Sequence, residues 1–146
     1  MQYFNEQIEI SAPDHVVFDL IDNLNGYSSW NSWIYHAEGS TAPGGAITVK
    51  MNLNGKARTF SHRMISRVRP GLFHWRDAGW FTLFAQGERE RHITPLGPNR
   101  CLYKVELRIG GIAQHIANLL FGDALRKGLH QETLALKREA EQLFTK

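Results

Sequence analysis

The chain has 146 residues, 42% of them hydrophobic and 21% charged, which fits one soluble domain over residues 1–146 and leaves little room for a second. Its single cysteine, Cys101, excludes an intramolecular disulfide and any cysteine-rich zinc motif, since both need at least two thiols at defined spacing. No apolar run approaches the ~20 residues of a membrane-spanning helix, and Met1 to Glu6 lacks the basic and apolar regions of a secretory signal, so the expected location is cytoplasmic and no membrane spanning is expected.

Residues 3–10 place Phe4, Ile8 and Ile10 on one parity, as a half-buried strand does. Ser11-Ala12-Pro13-Asp14 then reads as a helix start, with a capping side chain, a proline in the first turn and an acid at the positive helix end. Val16, Val17, Leu20 and Ile21 supply its buried stripe, Asn23 to Gly26 ends it, and Tyr27 to Trp33 follows as a second short helical or looped piece.

Over residues 46–53, Ile47, Val49, Met51 and Leu53 alternate with Thr48, Lys50 and Asn52. Asn54-Gly55 comes next, and because both residues tolerate the positive φ of a type I′ turn, residues 56–69 are expected to return antiparallel. Strict alternation on the return puts Phe60, His62, Met64 and Val68 on one face and Ser61, Arg63, Arg67 and Arg69 on the other. A short strand over 72–76, a turn at Asp77-Ala78-Gly79, one or two strands over 80–94 and a turn over 95–99 continue the meander. In the last strand Cys101, Tyr103, Val105, Leu107 and Ile109 oppose Leu102, Lys104, Glu106 and Arg108.

After Gly110-Gly111 the period changes to about 3.6, predicting a long helix over 112–144 with Ile112, Ile116, Leu119, Leu120, Leu125, Leu129, Leu136, Ala140, Leu143 and Phe144 on its stripe. Gly122 and Gly128 each weaken this helix by ~1 kcal/mol relative to Ala, so that either it bends there or Gly128 lets it sit close to the sheet.

Charge is uneven. Residues 1–50 carry six acids against one base, and residues 51–146 carry sixteen bases against eight acids. This reads either as an anion-facing surface or as the solvated face of a sheet. No nucleic-acid motif accompanies the arginines, so nucleic acid is not expected as a partner. The seven histidines include no pair at metal-ligand spacing, and no phosphate loop, dinucleotide fingerprint or nucleophile elbow is present, so neither a metal nor a cofactor is expected.

His62, on the apolar parity of its strand, needs a polar partner; it either orients a ligand or is a core histidine bonded to its neighbours. Glu6 has the parity of Phe4 and Ile8, as the partner of an inward Arg or His or as the wet end of its strand. Trp30, Trp33, Trp75, Trp80, Phe60, Phe73, Phe81, Phe84 and Tyr103 suit a pocket wall or an ordinary core.

The run from Ile8 through Ser11-Ala12-Pro13 to Phe18, the Tyr27 to Asn31 segment, Val68-Arg69-Pro70-Gly71 ahead of Phe73-His74-Trp75, Ile93-Thr94-Pro95-Leu96 and the Leu134 to Glu141 tail together resemble the START-like helix-grip superfamily, which includes the polyketide cyclase/dehydrase and lipid transport family. The chain departs from that pattern at Ser32-Trp33, where members often have proline after Trp-Asn, and at Arg108, where many have an aromatic.

The resemblance implies an α+β fold: a curved antiparallel sheet of about six or seven strands wrapped around a long C-terminal helix, with two short helices after the first strand. It also implies a cavity between sheet and helix for a small, largely apolar, lipid-like or polyketide-like ligand. Combined with strand parity and helical period, it points to Trp30, Trp33, Met51, Phe60, His62, Met64, Trp75, Tyr103, Ile116, Leu120, Leu125 and Leu129 as ligand-binding residues. A cyclase or dehydratase using His62, and a protein-interaction module of the chaperone-activator kind, are the alternatives, and a homodimer is left open.

Overall fold

The computed structural model describes residues 1–145, apart from the side chains of Trp80 and Phe81, which lie outside the described residues. Seven strands form one antiparallel sheet: β1 (Gln2–Ile10), β2 (Ile34–Gly39), β3 (Ala46–Leu53), β4 (Lys56–Val68), β5 (Leu72–Ala78), β6 (Gln86–Gly97) and β7 (Arg100–Gly110), in the spatial order β1-β7-β6-β5-β4-β3-β2. Helices α1 (Asp14–Asp22) and α2 (Tyr27–Trp30), with a 3-10 turn between them, carry the chain from one edge of the sheet to the other. The 32-residue helix α3 (Gln114–Thr145) packs against the sheet and α1. This is the α+β helix-grip arrangement, and among the described residues no helix is long and apolar enough to cross a membrane.

The strands follow from alternation. Ile47, Val49, Met51 and Leu53 on β3, and Cys101, Tyr103, Val105, Leu107 and Ile109 on β7, are all buried, while Lys50, Asn52 and Lys104 are exposed. A face of this kind is removed from water only by another layer, and here α1 and α3 supply it. The β3–β4 turn falls at Asn54-Gly55, with φ of 53° and 78°, the left-handed conformations that a type I′ hairpin requires.

Several expectations are corrected. Strand β2 was not apparent in the sequence. Its six residues follow directly on Trp33, and its burial pattern shows no sustained alternation. Residues 80–83 form a 3-10 turn, so the strand predicted from residue 80 begins at Gln86. Pro13, and no side-chain cap, precedes α1, while the backbone N–H of Ser11 donates to Glu141 at 2.8 Å.

On β4 the register shifts between Met64 and Ser66, and this bulge inverts the parity that follows. Val68 is therefore exposed. Arg67 turns inward instead, where its guanidinium lies 5.5 Å from the Phe18 ring centroid and makes paired hydrogen bonds with Asp22 at 2.7 and 2.5 Å. The bond with Arg67 is the largest influence on the Asp22 carboxyl and holds it below its ordinary range.

The stripe of α3 also differs from expectation. Ile112 precedes the helix and is exposed, as are Ile116, Leu119, Leu120, Leu143 and Phe144. The buried line instead runs through Gly128, Leu129, Glu132, Leu136 and Ala140, with Ala117, Phe121, Ala124 and Leu125 packed against the core. Size of side chain misleads here, since small residues let the helix approach. At Gly128 an added Cβ would come within 2.2 Å of the Trp33 indole, so this glycine is required by the close approach of helix and ring.

Candidate functional site

Between the sheet and the N-terminal half of α3 lies a cavity of about 400 Å³. Its wall draws on β3 (Met51, Leu53), β4 (Arg58, Phe60, His62), β5 (Trp75, Asp77), β6 (Gly87, Arg89), β7 (Leu107, Ile109) and α3 (Ala117, Phe121, Leu125), with Trp33 from the segment before β2. The tip of the β3–β4 hairpin is tied to the helix across this space. The Asn54 side-chain amide donates to the carbonyl of Leu120 at 2.9 Å, and the Arg58 guanidinium lies 5.4 Å from the Phe121 ring centroid.

Of the residues singled out in the sequence, Trp33, Met51, Phe60, His62, Trp75 and Leu125 line the cavity. The other six are elsewhere. Met64 and Leu129 are packed in the core, and Trp30 lies partly buried beside Tyr27, with ring centroids 5.3 Å apart. Tyr103 is buried, its hydroxyl accepting from Arg91 Nε at 3.1 Å. Ile116 and Leu120 face solvent at 62% and 57% exposure, because the helix turns its smaller residues to the sheet.

His62 stacks on Trp75 with centroids 5.0 Å apart and planes 17° from parallel. Its Nδ1 is 2.9 Å from Asp77 Oδ1, but the contact lacks hydrogen-bond alignment, and both ring nitrogens are buried without a well-aligned partner among the described residues. Asp77 is fixed by its other oxygen, which accepts from the Gly87 backbone N–H at 2.7 Å. Glu6 finds its partner in His130 of α3, on the outside of the helix.

Sequence reasoning missed the most unusual feature of the site. Arg89 and Arg91, alternate residues of β6, both point inward and share one carboxylate, Glu132 of α3; the three are 4%, 2% and 2% exposed. Arg91 Nη2 donates to Glu132 Oε1 at 2.9 Å, and Arg89 Nη1 approaches Oε1 and Oε2 at 3.3 and 3.5 Å. The Asn31 amide donates to Oε2 at 2.9 Å, and its carbonyl oxygen accepts from the backbone N–H groups of Trp33 and Ile34 at 2.9 and 2.8 Å, which ties the start of β2 to the helix.

Aromatic faces enclose the cations. The Arg89 guanidinium lies 4.9 Å from the Trp33 ring centroid and 5.7 Å from that of Trp75, and Arg91 lies 4.8 Å from Trp75 and 5.6 Å from Phe73.

Burial raises the Glu132 carboxyl, but Arg89, Arg91 and the hydrogen bonds from Asn31 and Arg91 outweigh it and hold the group below its ordinary range. Burial is also the largest influence on Arg89, and it lowers that guanidinium. Burial pushes the phenol of Tyr103 up to about 12 and that of Tyr27 higher still, so both hydroxyls are neutral at ordinary pH. The Cys101 thiol is likewise raised by burial, to about 11, and is inert as a nucleophile. Among the described residues no group of three or more His, Cys, Asp and Glu side chains converges to hold a metal ion.

No protein-family model matches the chain, and no curated protein matches it in sequence. Solved structures do match in fold. A START superfamily protein from Mycobacterium smegmatis superposes with a TM-score of 0.75 at 19% identity, over 97% of this chain and 98% of that one. The ZhuI aromatase/cyclase from Streptomyces sp. R1128 gives 0.75 at 12% identity, over 97% and 94%. A point mutant of norcoclaurine synthase from Thalictrum flavum, in complex with a transition-state analogue, gives 0.65 at 12% identity, over 94% and 96%. At these identities the likeness establishes the START-like helix-grip fold.

Proposed function

We propose that the protein binds a small, largely apolar molecule in the cavity between the sheet and α3. The observation that carries this reading is a cavity of about 400 Å³ walled by Trp33, Met51, Phe60, Trp75, Leu107, Phe121 and Leu125. A concave apolar wall with a few convergent polar groups is the usual form of a small-molecule site. The reading treats residues 1–146 as a single domain. It takes the protein to be cytoplasmic, the location expected from the sequence. Filling the cavity tests it. Ala117→Trp, with its new ring directed from α3 into the space, is expected to weaken binding of the neutral fluorophore N-phenyl-1-naphthylamine at least tenfold while far-UV circular dichroism stays that of wild type. Unchanged affinity in the folded variant contradicts the reading.

The His62–Asp77 pair favours a second reading, a cyclase-type enzyme acting on such a ligand. General acid–base work needs a titratable side chain within reach of the reacting proton, and His62, with Asp77 at 2.9 Å to hold or charge it, lies on the cavity wall. On this reading His62→Phe lowers turnover of a cyclisable poly-β-ketone by ~10²–10⁴ with probe affinity kept, as for loss of a general acid or base. Equal turnover by wild type and variant, or none by wild type, leaves binding alone.

A further inference from the structure

The buried cluster on β6 and α3 holds an odd charge. Arg89 and Arg91 contribute two positive charges, Glu132 one negative, and Asn31, Tyr27 and Tyr103 none, which leaves one buried cation without a counter-charge. The two guanidinium groups are not equivalent. Glu132 gives its shorter contacts, 2.9 Å each, to Arg91 and Asn31, and Arg89 is left with 3.3 and 3.5 Å. Each guanidinium also keeps one buried nitrogen without a hydrogen-bond partner among the described residues, Nε on Arg89 and Nη1 on Arg91. Of the two arginines only Arg89 lines the cavity.

Taking such an ion out of water is costly, and stacking on tryptophan faces returns only part of that cost. Arg89 borders the cavity beside these rings, so an acceptor bound there comes up against its guanidinium. Among the described residues no carboxylate on the wall plays that part. Asp77 is fixed by the Gly87 N–H and lies beside His62, and the carboxylate of Glu88 is taken by His74, Arg76 and Arg108 on the outer face of the sheet.

We propose that the ligand carries an anionic oxygen group, such as a carboxylate or an acidic enol or phenol, seated against Arg89 between the rings of Trp33 and Trp75, with its apolar remainder towards Phe121 and Leu125. This rests on the cavity-binding reading and adds the ligand's polar end to it. A charge-assisted bond to a buried, pre-positioned guanidinium favours the anion strongly over a neutral isostere.

The test uses 2-naphthoate and 2-naphthamide, equal in shape and differing in charge, with binding followed by titration calorimetry near neutral pH. Wild-type protein is expected to bind naphthoate at least tenfold more tightly than naphthamide. Arg89→Met keeps the length of the side chain and leaves Arg91 and Glu132 as a neutral pair; it is expected to lose that preference, so that its affinities for naphthoate and naphthamide fall within twofold of each other. Equal affinities in wild type, or naphthoate and naphthamide both failing where N-phenyl-1-naphthylamine binds, overturn the anionic subsite and leave the cavity reading standing. Failure of the naphthylamine itself is the result that removes the cavity reading. The wild-type comparison needs no variant, so it decides the matter even if Arg89→Met does not fold.

Discussion

Replacing Glu132 by glutamine is expected to cost about 3–5 kcal/mol of stability, the range for removing one partner of a buried ion cluster and leaving the other charges uncompensated. Glu132 is 2% exposed and hydrogen-bonds both Arg89 and Arg91, so the variant buries two guanidinium groups against a neutral amide. Against a total of ~5–15 kcal/mol for a domain, this is a large fraction. The midpoint of urea denaturation reads it directly.

The same group sets a pH dependence. Because its folded pKa lies below the ordinary value of 4.5, its contribution is full above that value and is lost as pH falls through the folded pKa. The wild-type acid limb should therefore be steeper than that of Glu132→Gln. Removing all three charges together with apolar residues of similar volume should cost far less than the single change, since no ion is then left unpaired. A Glu132→Gln midpoint equal to wild type would show that the cluster does not hold the helix to the sheet.

Trp75→Ala is expected to be similarly costly, about 3–5 kcal/mol, the range for truncating a buried tryptophan. The ring is 2% exposed and touches four different partners: it stacks on His62, meets Phe73 edge-on at 5.5 Å and covers one side of both Arg89 and Arg91. Its loss both empties part of the core and uncovers the two cations. Trp75→Phe keeps an aromatic face and should cost clearly less, so the difference between the two variants, read by thermal unfolding, separates lost volume from lost ring contact. Equal costs would mean that the ring faces contribute nothing beyond their volume.

Local alternation carried much of the fold. The β3–β4 hairpin is legible because Ile47 to Leu53 alternates cleanly and Asn54-Gly55 admits only a tight reversal, and β7 because five apolar residues share one parity. Strand β2 was not legible, since six residues with no sustained alternation give period-2 reasoning nothing to work on. The bulge at Ile65 was not legible either, because its cause is pairing with β5, and a single sequence does not show pairing.

The site was readable only in part. His62 stood out as a polar residue on an apolar parity, and its partner Asp77 did not, because it comes from the next strand. Glu132 left a signal that went unused: it falls on the line of Leu129 and Leu136, an acid within an apolar helical stripe. Arg89 and Arg91 are hidden because β6 alternates arginine with glutamate, so both of its faces read as wet. Only the neighbouring strands, with Phe73 and Trp75 on one side and Tyr103 and Val105 on the other, show which face is dry.

The most direct test of the cavity as a binding site is a titration of ¹⁵N-labelled protein with N-phenyl-1-naphthylamine, following the indole N–H signals by heteronuclear NMR. Trp33 and Trp75 line the cavity and Trp30 does not, so saturable shifts of the first two signals are expected while that of Trp30 stays nearly in place. Unmoved Trp33 and Trp75 signals at probe concentrations that shift other resonances would contradict it.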